Sequence, residues 1–203
     1  MNEVAYKELI VPYENAVRVL VTQLENLQHE LKESKTVRNP IDSIHHRIKT
    51  YDSLLEKCQK RNVNSNDIPA VKDTIKDIGG IRIICLYRDD VERVARMIGN
   101  TPGVSIYEKK DYIATPKENG YQSLHLITYV QIPSVVDGNQ IVPVEVQIRT
   151  LAMQAWAQVE HRAKYKAKNP ADAEAADQLK KVADLLQQVD EIFVNIRTRS
   201  NDD

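Results

Sequence analysis

Val144-Glu145-Val146-Gln147-Ile148-Arg149 alternates β-branched residues with charged or amide ones without a break. Successive side chains of a strand point to opposite faces, so this run reads as a strand with one apolar and one polar face. Val144, Val146 and Ile148 then face a core, while Glu145, Gln147 and Arg149 line up on the other side. A second strong strand opens behind an acid, in Asp77-Ile-Gly-Gly-Ile-Arg-Ile-Ile-Cys85. Two carboxylates on adjacent strands of one sheet face can hold a magnesium ion against a polyphosphate. On spacing alone a plainer reading stands beside that one: Asp77 caps a turn and Glu145 is a solvated strand residue.

Outward from these strands, the middle of the chain reads as β-rich. Residues 81–87 form a strand and 89–98 a helix with Val91, Val94, Ala95 and Ile98 on one face. Residues 104–113 read as a strand and 114–122 as a polar loop. Residues 124–132 and 141–149 read as strands joined across Asp137-Gly138-Asn139, a hairpin signal. Upstream, Val17, Leu20, Leu24, Leu27 and Leu31 recur at helical spacing. The stretch 34–40 breaks that helix, and Pro40 suits the start of a second one over 41–61, which carries Arg47, Lys49, Lys57, Lys60 and Arg61. A polar loop over 62–69 and a short helix lead to Asp77. Downstream, a helix from Leu151 places Ala152, Trp156, Val159 and Ala163 on one buried face, and Asn169-Pro170 interrupts it. A last helix carries Leu179, Val182, Leu186, Val189, Phe193 and Ile196 at heptad spacing, a seam for the chain's own helices or for another subunit. The fold class expected is α+β: a mixed central sheet flanked by helices, with long N- and C-terminal helices. One domain spans 1–203, with an N-terminal helix over 1–35, a core over 41–166 and a C-terminal helix over 171–198.

Bulk composition narrows the function. Among 203 residues, 28 Lys and Arg balance 29 Asp and Glu, which argues against a nucleic-acid coat or a polybasic membrane binder but permits a local basic pocket. No apolar run approaches the roughly 18–20 residues of a membrane span. The start, Met-Asn-Glu-Val-Ala-Tyr-Lys-Glu, lacks the pattern of a signal peptide. Cys58 and Cys85 have no metal-like spacing and read as reduced thiols. A cytoplasmic protein is expected.

The candidate site residues carry unequal weight. Gly79-Gly80 allows close backbone approach or a tight turn, and there is no phosphate loop of Gly-x-x-x-x-Gly-Lys type. Arg82 leaves its strand opposite Ile81 and Ile83, where a guanidinium can stack on a base, bridge phosphates or simply face solvent. Arg47 and Lys49 on a helix diverge by roughly 200 degrees, so they converge on one ligand only at a helix edge or a bend. The loop Lys117-Glu-Asn-Gly-Tyr-Gln-Ser-Leu-His125 is more specific. Tyr121 offers a ring for a base, Lys117 a charge for phosphate and His125 a hydrogen bond, and the bland alternative is a loop with a half-buried tyrosine. The five histidines include no zinc-protease pattern, and Glu160-His161 reads as capping or surface pairing.

Taken in order, these segments resemble the synthetase domain of the RelA/SpoT family. The matching residues are Arg47-Ile-Lys49, Asp77-Ile-Gly-Gly-Ile-Arg82, Lys117 to His125, Glu145-Val-Gln147-Ile-Arg149-Thr and the following Leu-Ala-Met-Gln-Ala-Trp156-Ala-Gln-Val-Glu-His161, and they cover 41–166. The size and layout are similar to the stand-alone small alarmone synthetases. The resemblance implies a nucleotidyltransferase-like fold and Mg²⁺-dependent transfer of pyrophosphate from ATP to the 3′-hydroxyl of GDP or GTP. By that match Asp77 ligates magnesium, and Glu145 holds the ion, takes the acceptor proton, or does both. Arg47 and Arg82 sandwich the adenine, and Lys49 and Lys57 contact the ATP phosphates. Tyr121 stacks on the guanine, with Lys117, His125, Gln147 and Gln154 on the acceptor side. Lys110 stands where some relatives carry arginine, and Gln154 where some carry asparagine. Arg149 stays open between phosphate contact and indirect support.

The resemblance also implies a homo-oligomer, with a tetramer through the terminal helices. Val21, Glu25 and Gln28 lack the basic character of a first-helix alarmone cleft, so activation by product is not expected. Competing readings are a toxin-like relative that modifies adenine nucleotides or tRNA, and a non-catalytic module that binds nucleotides or RNA.

Overall fold

The computed structural model describes residues 1–135, 138–166 and 173–199. Along the chain the elements are α1 (Glu3–Glu33), β1 (Ile41–Ile48), α2 (Tyr51–Lys60), α3 (Ile68–Thr74), β2 (Gly79–Cys85), α4 (Arg88–Gly99), β3 (Val104–Asp111), β4 (Leu124–Ile132), β5 (Gln140–Thr150), α5 (Leu151–Lys166) and α6 (Ala173–Arg199). The five strands form one sheet in the order β1-β2-β5-β4-β3. The β2–β5 pair is parallel and the others are antiparallel, which makes the sheet mixed as the sequence predicts.

Burial explains the layering. Val144, Val146 and Ile148 are 0% exposed, and Ile81 and Ile83 beside them on β2 are no more than 2% exposed. Leu20 and Leu24 of α1 and Val94 and Ile98 of α4 close over this face in one core. Each such side chain contributes roughly 1.5–3 kcal/mol of burial. The two glycines of β2 do different things. A Cβ on Gly79 would lie 2.9 Å from Val17 Cγ2, so glycine lets α1 lie against the strand. A Cβ on Gly80 would meet nothing closer than 3.9 Å, so this glycine leaves the opposite, polar face open. Both lie within the strand, not in a turn.

Three expectations need correction. Residues 41–61 are not one helix: β1 occupies Ile41–Ile48, and Thr50 then caps α2 by accepting from Ser53 N at 3.4 Å. Ile41, Ile44 and Ile48 keep helical spacing, and antiparallel pairing with β2, with an irregularity between Ile41 and Ser43, makes the segment a strand. Pro40 precedes a strand rather than opening a helix. On α5, Ala152 and Trp156 are buried, but Val159 is 57% exposed, because the sheet no longer lies under that turn. On α6, where the sequence leaves the seam open to the chain's own helices or another subunit, Ala183, Asp190 and Arg197 are buried, Leu179, Leu186 and Val189 are half-buried, and Val182, Phe193 and Ile196 are exposed, so the seam is only partly covered. Asp137, the Asn169-Pro170 break and residues 200–203 lie outside the described residues. Among the described residues no helix is long and apolar enough to cross a membrane.

Candidate active site

Strand register assembles the site on the face opposite α1 and α4. Arg47, Gly80 and Glu145 are neighbours across β1, β2 and β5. One step along, His45, Arg82, Gln147, His125 and Lys110 form a row across all five strands. The strand assignment of β1 therefore removes the divergence expected of a helix, since Arg47 and Lys49 fall on one side of an extended chain.

Asp77 stands just before β2, and its Oδ2 lies 3.2 Å from Lys49 Nζ and 3.2 Å from Lys57 Nζ. The Lys49 N–H donates to Ile78 O at 2.8 Å, which ties the end of β1 to the acidic segment. Asp77, Gly80, Arg82 and Glu145 line a cavity of about 280 Å³ that also includes Arg47. A second cavity of about 430 Å³, lined by Tyr121, Arg149 and Glu160, shares Arg47, Arg82, Gln154 and Gln158 with the first. The two are lobes of one cleft. Arg82 has a buried Nε with no partner among the described residues. Burial lowers its pKa, and the guanidiniums of Arg149 and Arg47 lower it further. A cluster of guanidiniums is suited to a flat base or a polyphosphate.

In the other lobe, five side chains close a ring of hydrogen bonds. His125 Nδ1 lies 3.3 Å from Glu145 Oε1, and His125 Nε2 lies 2.7 Å from the Tyr121 hydroxyl. Arg149 Nη2 donates to the Tyr121 hydroxyl and, at 3.1 Å, to Gln147 Oε1. Gln147 Nε2 donates to Glu145 Oε2 at 2.8 Å and completes the circuit. A neutral His125 protonated on Nδ1 satisfies every link, with the tyrosine donating to Nε2 while accepting from arginine. Burial pushes the Glu145 pKa up, but the His125 contact, the Gln147 amide and the Lys57 charge outweigh it and hold the carboxyl at about 2. Lys117 Nζ and the Arg149 guanidinium each sit 5.0 Å from the Tyr121 ring centroid, so an incoming base competes with them for the ring faces.

The sequence-derived residues thus converge, with one exception. Lys110 is opposite His125 in register, but it lies on the edge strand, half exposed and 3.0 Å from Glu108, and lines neither lobe. Arg149 is 5% exposed and also donates to Gln154 Oε1 at 3.2 Å, so while it lines the Tyr121 lobe its hydrogen bonds go to Tyr121, Gln147 and Gln154. The sequence predicts capping or surface pairing for Glu160, whereas it accepts from Asn119 Nδ2 at 3.1 Å and lines the Tyr121 lobe. Tyr112, packed edge-on to His125 at 5.2 Å, had no signal in the sequence beyond its type. Gln158 and Arg162 follow Gln154 at four-residue steps, a helical stripe that could have pointed to them.

The donor set fits magnesium. Among the described residues no group of three or more His, Cys, Asp or Glu side chains could hold a metal. Mg²⁺ needs only one or two carboxylates when substrate phosphates and water complete its shell, and Asp77 and Glu145 line one lobe.

Comparison with known proteins agrees with this architecture. A sequence profile described as "Region found in RelA / SpoT proteins" matches residues 46–170. The GTP pyrophosphokinase YjbM of Bacillus subtilis is 32% identical over 197 residues, covering 97% of this chain and 90% of that protein. The crystal structure of small alarmone synthetase 1 from Bacillus subtilis bound to its product pppGpp superposes with a TM-score of 0.86 at 31% identity, covering 96% of this chain and 97% of that one. A GTP pyrophosphokinase family protein from Streptococcus pneumoniae gives 0.88 at 28% identity, covering 100% of this chain and 97% of that one. With its strand order, its two-lobed cleft and these full-length likenesses, the chain belongs to the RelA/SpoT family.

Proposed function

We propose that this protein is a GTP/GDP pyrophosphokinase, transferring the β,γ-pyrophosphoryl group of ATP to the 3′-hydroxyl of GDP or GTP and releasing AMP. The observation that carries the reading is the pairing of Asp77 and Glu145 in a cleft with a guanidinium lobe on one side and an aromatic lobe on the other. Curated relatives of nearly full-length similarity are GTP pyrophosphokinases, and one solved relative binds AMPCPP.

Phosphoryl-type transfer is mostly positioning and neutralisation of charge. Arg47 and Arg82 hold the adenine, and Lys49 and Lys57 neutralise the ATP phosphates once these displace them from Asp77. Tyr121 stacks the guanine, while Lys117, His125, Gln147 and Gln154 orient the acceptor; Lys110 is the weakest member of this set. Asp77 and Glu145 would hold the magnesium ion, and the chemistry it would supply is withdrawal of charge from the phosphate oxygens. The acceptor oxygen attacks the β-phosphorus and gives up its proton to solvent water, and the bond from that phosphorus to the AMP oxygen breaks with its electron pair leaving on AMP, so the two oxygens must lie in line. A carboxylate held at about 2 is a weak base, which favours charge and positioning as the role of Glu145 over proton removal in the resting site.

The uncovered stripe of Val182, Leu185, Ile192, Phe193 and Ile196 on α6 supports a homo-oligomer, of which a tetramer is one form. Two buried free cysteines agree with a cytoplasmic protein. Incubating the purified chain with ATP, magnesium and GDP, GTP or GMP, then identifying products by mass, tests the reading. AMP together with ppGpp or pppGpp is expected. Pyrophosphorylated adenine nucleotide or tRNA in place of these would overturn it, as would nucleotide binding with no AMP released.

A further inference from the structure

Behind the two carboxylates lies a depression that the reaction does not use. It has a volume of about 510 Å³ and opens between α1, α3 and the end of the β4–β5 pair. Pro12, Pro69 and Pro143 form rigid apolar walls, and Tyr13, Tyr129 and Lys72 supply polar groups. Tyr13 is 2% exposed, yet among the described residues its hydroxyl has no hydrogen-bond partner, nor has that of Tyr129. Burial, reinforced by the nearby Tyr129, pushes the Tyr13 hydroxyl up to about 12, so it stays a donor at ordinary pH. Lys72 is exposed and has no carboxylate partner among the described residues, whereas Lys76 is committed to Asp73 at 3.5 Å and to Lys72 O at 3.2 Å. Neither hydroxyl is among the buried polar atoms that lack a partner, so both phenols are open to an acceptor that enters the depression.

We propose that this depression is a second ligand site, which takes an organic anion with a flat apolar body, of mononucleotide size. The proline walls and the Tyr129 ring hold the body, while Lys72 and the two phenol hydroxyls hold a phosphate or carboxylate. Lys76 adjoins Asp77 and Pro143 precedes Glu145 by two residues, so a ligand here rests against the backbone that carries both carboxylates.

The test uses tyrosine-ring NMR signals of the whole protein, with AMP, phenyl phosphate and inorganic phosphate as probes. Tyr13→Phe and Tyr129→Phe assign the two signals and remove one donor each without emptying the core. AMP and phenyl phosphate should shift both signals saturably, inorganic phosphate far more weakly, and the shifts should persist in Arg82→Ala, where binding in the main cleft is impaired. Tyr13→Phe and Lys72→Ala should each weaken the probes by about tenfold. Three results would each overturn the proposal: shifts confined to Tyr112 and Tyr121, unchanged affinity in Tyr13→Phe and Lys72→Ala, or inorganic phosphate binding as tightly as AMP.

Discussion

His125 Nδ1 lies 3.3 Å from Glu145 Oε1, and this contact links the Glu145 carboxylate to the Tyr121 hydroxyl on the other side of the imidazole. One side chain therefore touches Glu145 of the first lobe and Tyr121 of the second together.

His125→Ala should raise the Glu145 pKa from about 2 toward its ordinary 4.5, as followed by carbon NMR of the carboxyl in metal-free protein. A folded pKa below the ordinary value means that the stabilisation is full above about 4.5 and is lost as pH falls through about 2. The variant should therefore be less stable than wild type near neutral pH, with the difference shrinking as pH falls from about 4.5 toward 2, seen by circular dichroism. An unchanged Glu145 pKa would disconnect the two residues.

Gly120 closes the acceptor loop at φ +89°, and a Cβ there would lie 2.7 Å from Ala183 Cβ on α6. Gly120→Ala should destabilise the fold by about 1–3 kcal/mol and raise the KM for the guanine nucleotide. Adding Ala183→Gly removes the clash but not the strained φ, so the double variant should recover only part of the melting temperature. Full recovery would show that the backbone conformation costs nothing.

Asp190 is 2% exposed, accepts from Thr150 Oγ1 at 2.7 Å and leaves Oδ1 without a partner among the described residues. Burial raises its pKa, with the Thr150 hydroxyl and the Arg88 charge opposing. A raised folded pKa means that the folded state holds the proton more tightly. Stability then falls as pH rises from the ordinary 3.8 through the folded value, and the cost is fully present at neutral pH. Asp190→Asn should raise Tm by about 2–5 °C at pH 7, and the gain should shrink toward pH 4. A gain independent of pH would point to packing instead.

How far the sequence carried the reading depended on which signals were local. The alternation of β5 and β2 was enough to put Glu145, Gln147 and Arg82 on one face, because strand parity is a property of the chain itself. The short segment around Arg47 is not legible, since its isoleucines keep helical spacing and only the partner strand makes it extended. Arg149 was undecided for a related reason: its burial comes from Tyr121, Gln147 and Gln154, which are brought together by three separate elements. Glu160 was misjudged because its contact with Asn119 joins α5 to a loop 41 residues away. The sequence leaves the α6 seam open between the chain's own helices and another subunit, and only the packing of Gly120 and Trp156 against Ala183 and Leu179 shows which face the helix turns to the domain.

The most direct test of the central claim is release of AMP from ATP by Asp77→Asn and Glu145→Gln, measured beside the wild-type protein with GDP, GTP and magnesium, with melting curves to show that both variants are folded. Loss of one metal-binding carboxylate should cut AMP release by at least about 10³-fold while leaving the fold intact. Near-normal AMP release from either folded variant would contradict the assignment of these two carboxylates as the centre of the site.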